Sequence, residues 1–102
     1  MTISQRDRAY SMMAEYLSGE LTSAKFSAEF SLLYGFSTEF DYAVLTKAEY
    51  FWFNKLFTLS SRYSSNPEDF ILYPKVYFSD TDIDSAIRSV YEELTSNQTS
   101  QD

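Results

Sequence analysis

The chain has 102 residues, 23% charged and 44% hydrophobic, which excludes a disordered polypeptide and leaves room for one domain with one core. It carries no Cys, no His and a net charge of −7, which excludes disulfides, thiol chemistry and the commonest general base and repels nucleic acid and membrane surfaces. Only two Gly and two Pro fit a compact helical chain better than a turn-rich β one, and nineteen percent aromatic content (nine Tyr, nine Phe, one Trp) points to half-buried rings whose hydroxyls reach water or a partner.

In chain order, "MTISQRDRAY" lacks an apolar leader and no later stretch approaches a membrane span, so the expected location is cytoplasmic. A first helix is expected from the Ser4 cap to about Ser18. Tyr10, Met13, Ala14 and Leu17 form its apolar stripe, and Gly19 is its stop. Thr22 caps a second helix with Phe26, Phe30, Leu33 and Tyr34 at helical spacing, ended by Gly35. The short link between the two predicts an antiparallel pair. "FSTEFDYAVL" reads as a connection with room for one helical turn.

"TKAE" then offers a capping box from Thr46 to Glu49. The apolar residues of "YFWFNKLFTLSSRY" nearly encircle the axis, so this third helix is expected to be central and the most buried. Pro67 forbids its continuation. "FILYPKVYF", aromatic and broken by Pro74, reads as an extended strap along the bundle. A last helix follows, with Ile83, Ala86, Ile87, Val90, Tyr91 and Leu94 at strict helical spacing. The expectation is therefore an all-α, compact four-helix bundle with an extended strap between helices 3 and 4. Residues 1–95 form the domain and 96–102 a polar tail that includes the sequon at Asn97.

The charge is uneven. Residues 64–102 hold eight acids against two bases, while residues 1–63 hold seven acids against six bases. "SDTDIDSAIR" sets Asp80, Asp82 and Asp84 at alternate positions, which raises a calcium loop. Such a loop needs a sharply turning residue at position six and a bidentate Glu at position twelve, where this chain has Ser85 and Tyr91. No metal and no cofactor are expected. Asp80 or Thr81 instead caps the last helix, with Asp82 and Asp84 in its first turn where the macrodipole favours them. Capping leaves Glu68, Asp69, Glu92 and Glu93 unexplained, and an acidic face for a basic partner explains them. No Gly-rich phosphate loop and no nucleophile–base spacing stand out, so the chain is not expected to be an enzyme.

Three stretches carry a family resemblance. "YLSGELTSAKFSAEFSLLY" resembles the first helical hairpin of the colicin D immunity protein family, "LFTLSSRYSSNPEDF" its third helix and the acidic turn after it, and "DTDIDSAIRSVYEEL" its terminal helix. The likeness covers most of residues 8–95. It implies a small four-helix protein that protects a toxin-producing cell by filling the basic tRNA-binding cleft of a colicin or contact-dependent growth inhibition nuclease with acids. By position, the acidic turn carries over to Glu68 and Asp69. The family often has acids at the end of the third helix, where this chain has Ser60, Ser61 and Ser64, so acidic load is expected at Asp80, Asp82 and Asp84 as well. The toxin-binding set is thus Glu68, Asp69, Tyr73, Tyr77, Asp80, Asp82 and Asp84. The partner is a toxin nuclease domain, with no nucleic acid or membrane bound. Three other readings stand beside this one: an acidic helical adaptor with a non-toxin partner, an enzyme of unknown chemistry, and a toxin that cuts DNA or rRNA instead.

Overall fold

The hydroxyls of Ser4, Thr22 and Thr46 accept from the backbone N–H three residues on, and each opens a helix. The computed structural model describes residues 4–35 and 40–99. Among these it contains α1 (Gln5–Leu17), α2 (Ser23–Tyr34), a 3-10 turn (Tyr42–Val44), α3 (Lys47–Ser61), α4 (Pro67–Leu72) and α5 (Asp80–Thr99). Residues 36–39 of the expected connection and 100–102 of the expected tail lie outside the described residues.

The fold is an all-α bundle of five helices, which corrects the expected four. The extra helix is α4, in the stretch assigned to an acidic turn and the start of the strap. Helix α3 ends at Ser61, well before Pro67, where the chain turns into the bridge with Phe78; Pro67 instead opens the next helix from position N1, where its missing N–H costs nothing. Asn66 caps that helix by accepting from Glu68 N–H, and Glu68 and Asp69 occupy its first turn. What remains of the strap is a turn closed by Val76 N–H to the Tyr73 carbonyl, then a short parallel bridge. In that bridge Phe78 N–H donates to Arg62 O at 2.9 Å and Ser64 N–H to Phe78 O at 3.0 Å.

The core gathers Ala9, Met12 and Met13 of α1, Phe26, Phe30 and Tyr34 of α2, Phe53 and Leu56 of α3, and Ile83, Ile87, Val90 and Leu94 of α5. Phe40 joins them from the connection. The α1 stripe is rotated from the expected one: Ala9 and Met12 are buried and Ala14 is exposed. In α2 the stripe is as expected for Phe26, Phe30 and Tyr34, with rings stacked in series at 5.4 and 5.7 Å. Helix α3 packs against both α2 and α5, the two most extensive helix contacts, and is central in that sense. It is not buried all round, however. Its inner face is Glu49, Phe53, Leu56 and Ser60, whereas Tyr50 and Phe51 are 53% and 60% exposed.

Two glycines are where the backbone requires them. Gly19 closes α1 at φ +90°, a left-handed conformation that strains any residue with a Cβ. Gly35 caps α2 in ordinary right-handed geometry, but a Cβ there would overlap the Phe57 ring, so its role is close approach. Helix α5 is capped by Ser79, one residue before the expected Asp80: Asp82 N–H donates to Ser79 Oγ at 3.3 Å, and Ser79 N–H donates back to the Asp82 carboxylate at 2.9 Å. Its helical backbone runs to Thr99, beyond Leu94 where the apolar pattern stops.

The N-terminal ends of α1 and α3 are joined through Glu49, whose side chain is 2% exposed. Arg6 pairs with it at 2.5 Å, Tyr10 donates at 2.6 Å, and Thr46 N–H donates at 2.9 Å to complete the capping box. Burial alone would push the Glu49 carboxyl up. The donors from Arg6, Tyr10 and Thr46 outweigh it and hold the group below the ordinary carboxylate range.

Candidate protein-binding surface

Helix α4 is only six residues long and makes at most marginal contact with the other helices. Polar contacts at its start hold it in place instead. Ser64 Oγ donates to the Asp69 carboxylate at 2.5 Å and accepts from Asn66 N–H at 3.0 Å, while the Ser64 backbone is tied into the bridge with Phe78. At the other end Tyr73 N–H caps Asp69 O at 2.8 Å. A helix of this length has few residues with which to bury an apolar stripe, and its outer side is open among the described residues. Ile71 is 77% exposed, Leu72 66%, Tyr73 54% and Val76 43%. Four exposed apolar side chains within six residues, with the exposed Lys75 among them, form a knob, the kind of feature that marks an interaction surface. The rings of the two expected contact residues, Tyr73 and Tyr77, meet edge to face at 6.2 Å beside it.

The five expected acids do not form one face. Glu68 and Asp69 share the first turn of α4, beside the knob, and the Glu68 carboxylate has no partner among the described residues. Asp80 is tied to the same junction, accepting at 2.6 Å from Tyr63 Oη, and Tyr63 is bridged to Phe78 and precedes Ser64, the partner of Asp69. That hydrogen bond, first, and burial, second, raise the Tyr63 phenol above its usual range. Asp82 and Asp84 diverge. Alternate residues share one side of an extended strand, but in a helix two residues turn through about 200°. Asp82 therefore serves the Ser79 cap and borders a recess of about 250 Å³ between α3 and α5, with Trp52 and Lys55 on its other wall. Asp84 turns toward α1, accepting from Tyr16 Oη at 2.7 Å and pairing with Arg88 at 3.0 Å. The Tyr16 hydrogen bond, then the Arg88 one, hold Asp84 below the ordinary range.

The surface built by the structure is thus Glu68, Asp69, Asp80, Tyr73 and Tyr77 from the expected set, together with Ile71, Leu72 and Val76. Asp82 turns away from it, and Asp84, one turn along α5 from Asp80, is engaged by Tyr16 and Arg88. The three apolar residues were legible in principle, since "NPED" is a helix start and a six-residue helix after it has little to pack on. Reading the run as a strap laid along the bundle hid them. Among the described residues no three acidic side chains converge as a metal site requires. The described recesses are lined mainly by aromatic and small polar groups, as in the one of about 350 Å³ bounded by Tyr34, Gly35, Tyr42, Tyr50, Asn54 and Phe57. Among the described residues no helix is long and apolar enough to cross a membrane.

Comparison with protein-family models, with curated proteins and with solved structures returned no match.

Proposed function

We propose that this chain is an immunity protein that binds and neutralises a cognate nuclease toxin, a tRNase, by laying an acidic, apolar-centred surface over the toxin's basic active-site cleft. The observation that carries the reading is the α4 knob: Ile71, Leu72, Tyr73 and Val76 stand out from the bundle with Glu68 and Asp69 beside them and Asp80 tied to the same junction. Tight interfaces pair a few apolar anchors, which supply most of the binding energy, with a charged surround that steers encounter and fixes register. The excess of acids in residues 64–102 supplies that surround, and the resemblance of three stretches to colicin D immunity proteins supplies the partner class. The role needs no chemistry from the chain: the protein acts by occupancy.

The test is titration of the purified protein into the nuclease domain encoded beside its gene, read by calorimetry and by tRNA cleavage. Binding with a Kd on the order of 1 nM or below, and stoichiometric loss of cleavage, are expected. Ile71→Ser with Leu72→Ser should weaken binding by at least about 2 kcal/mol, roughly thirtyfold, with an unchanged circular dichroism spectrum because both side chains are already in water. Glu15→Gln with Glu20→Gln, on the α1–α2 side, should change little. A protein that neither binds nor inhibits any neighbouring nuclease, yet binds another protein through the same knob, is an adaptor and the proposal fails.

A further inference from the structure

The solvent side of α3 differs in sign from the rest of the molecule. Around its axis Lys47, Phe51, Lys55, Thr58 and Arg62 fall on one outward stripe, with Tyr50 and Asn54 at its edge. The only acid in the helix, Glu49, points the other way and is neutralised by Arg6. None of the three cations forms an ion pair with a described residue. Lys55 rests over the Trp52 ring at 5.3 Å, which leaves its charge at the surface. At the N-terminal end of this stripe Tyr50, Phe51 and, from the preceding turn, Val44 are more than half exposed. They form a second apolar patch, flanked by Lys47 and Lys55. Of the described acids around it, Asp41 accepts from Ala43 N–H at 3.0 Å, and Asp82 lies across the recess from Lys55, held by the Ser79 cap.

This patch lies toward the start of α3, and the chain reaches the α4 knob only beyond the helix's other end, about 15 Å along the axis from Phe51. One patch is apolar with Lys47 and Lys55, while in the other the apolar side chains sit beside Glu68 and Asp69, which outnumber the one cation there, Lys75. We propose that these two surfaces bind each other between copies of the chain, α3 of one protomer seating the α4 knob of the next, so that the protein associates head to tail. The opposite signs and matching apolar centres identify a second copy as the occupant. A polynucleotide would meet the same lysines only against a net charge of −7. That net charge does not prevent the contact: beyond a Debye length of about 8 Å repulsion is largely screened, whereas touching Lys–Glu pairs are not. Because the two surfaces differ, the contact is heterologous and extends to chains or rings rather than closing as a two-fold dimer. The inference does not rest on the toxin reading, although a toxin seated on α4 would displace the second copy.

The test is sedimentation of the full chain from about 10 µM to about 1 mM, with two variants. One carries Lys47→Glu, Phe51→Ser and Lys55→Glu; the other carries Glu68→Lys, Ile71→Ser and Leu72→Ser. The weight-average mass of the unsubstituted chain should rise at least twofold with concentration. Each variant alone should stay monomeric, and an equimolar mixture should form a one-to-one heterodimer, since each retains the surface its partner needs. The mixture also shows that both variants fold. A chain that stays monomeric throughout overturns the proposal. So does a mixture that fails to pair while the unsubstituted chain associates, because the contact would then be two-fold. Binding of single-stranded oligouridylate that the α3 variant loses, without self-association, would assign the face to nucleic acid and equally overturn it.

Discussion

At the scale of single residues, Glu49 combines the most functions in the fold. It closes the α3 capping box, accepts from Tyr10 and pairs with Arg6 across the α1–α3 junction, all from a position almost without water. Removing one member of such a cluster leaves the others unpaired; with Arg6 still partly exposed, Glu49→Ala should lower unfolding free energy by roughly 2–4 kcal/mol. Urea denaturation measures this. The pH dependence follows from the same contacts. The carboxyl is held below its unfolded-state value of about 4.3, so its contribution is fully present above that pH and is lost as pH falls through the lower folded-state value. Stability should therefore be nearly flat from neutral pH to about 5 and drop below about 4. In Glu49→Gln that acid-induced loss should be smaller, because one of the protons that drives it is gone. An unchanged acid limb in the variant would mean that other carboxylates dominate it.

At the scale of elements, the contrast is between α3 and α4. Helix α3 has fifteen residues, a reciprocal cap and packing on two neighbours, while α4 has six residues, a cap and a polar brace at Ser64. A helix this short is unstable alone and gains little here from burial. Amide hydrogen exchange should therefore be fastest among the helices in α4 and slowest in the buried segments of α3 and α5. Asn66→Ala, which removes a cap worth about 1 kcal/mol, should speed exchange in α4 without moving the global unfolding midpoint. Binding of a partner to the knob should slow exchange there. Protection of α4 equal to that of α3 in the free protein would contradict this picture.

At the scale of the whole molecule, charge is segregated. The C-terminal part carries nearly all of the net −7, and the outward side of α3 carries three cations. Exposed acids away from a contact act through the long-range field and set how fast partners meet rather than how long they stay. Glu92 and Glu93, exposed on α5 and remote from α4 in sequence, are such charges. Glu92→Gln with Glu93→Gln should slow association with the proposed nuclease partner a few-fold at low salt, leave dissociation unchanged, and flatten the salt dependence of the association rate. Stopped-flow kinetics at several ionic strengths checks this. A change confined to the dissociation rate would put these residues inside the interface.

What the chain's letters determined alone was local and periodic. Ser4, Thr22 and Thr46 start helices because a side-chain oxygen three residues before an orphan N–H satisfies it wherever the helix packs. The Ile83, Ile87, Val90 and Leu94 stripe buries because only one side of a helix can do so. The charge asymmetry, too, is a property of composition. Neighbours decided the rest. The aromatic run of α3 fills its axis on paper, but α2 and α5 cover only one side of it, so Tyr50 and Phe51 remain in water. "NPEDFIL" holds both a helix stop and a helix start, and the polar brace from Ser64 to Asp69 supports the start. Asp80, Asp82 and Asp84 look like one cluster, but helical geometry turns Asp82 away from the other two, and tertiary neighbours give each its own partner: Tyr63 for Asp80, Ser79 for Asp82 and Tyr16 for Asp84. Which apolar residues lack a cover, and which acids share a surface, are relations between elements distant in sequence, and no local pattern encodes them.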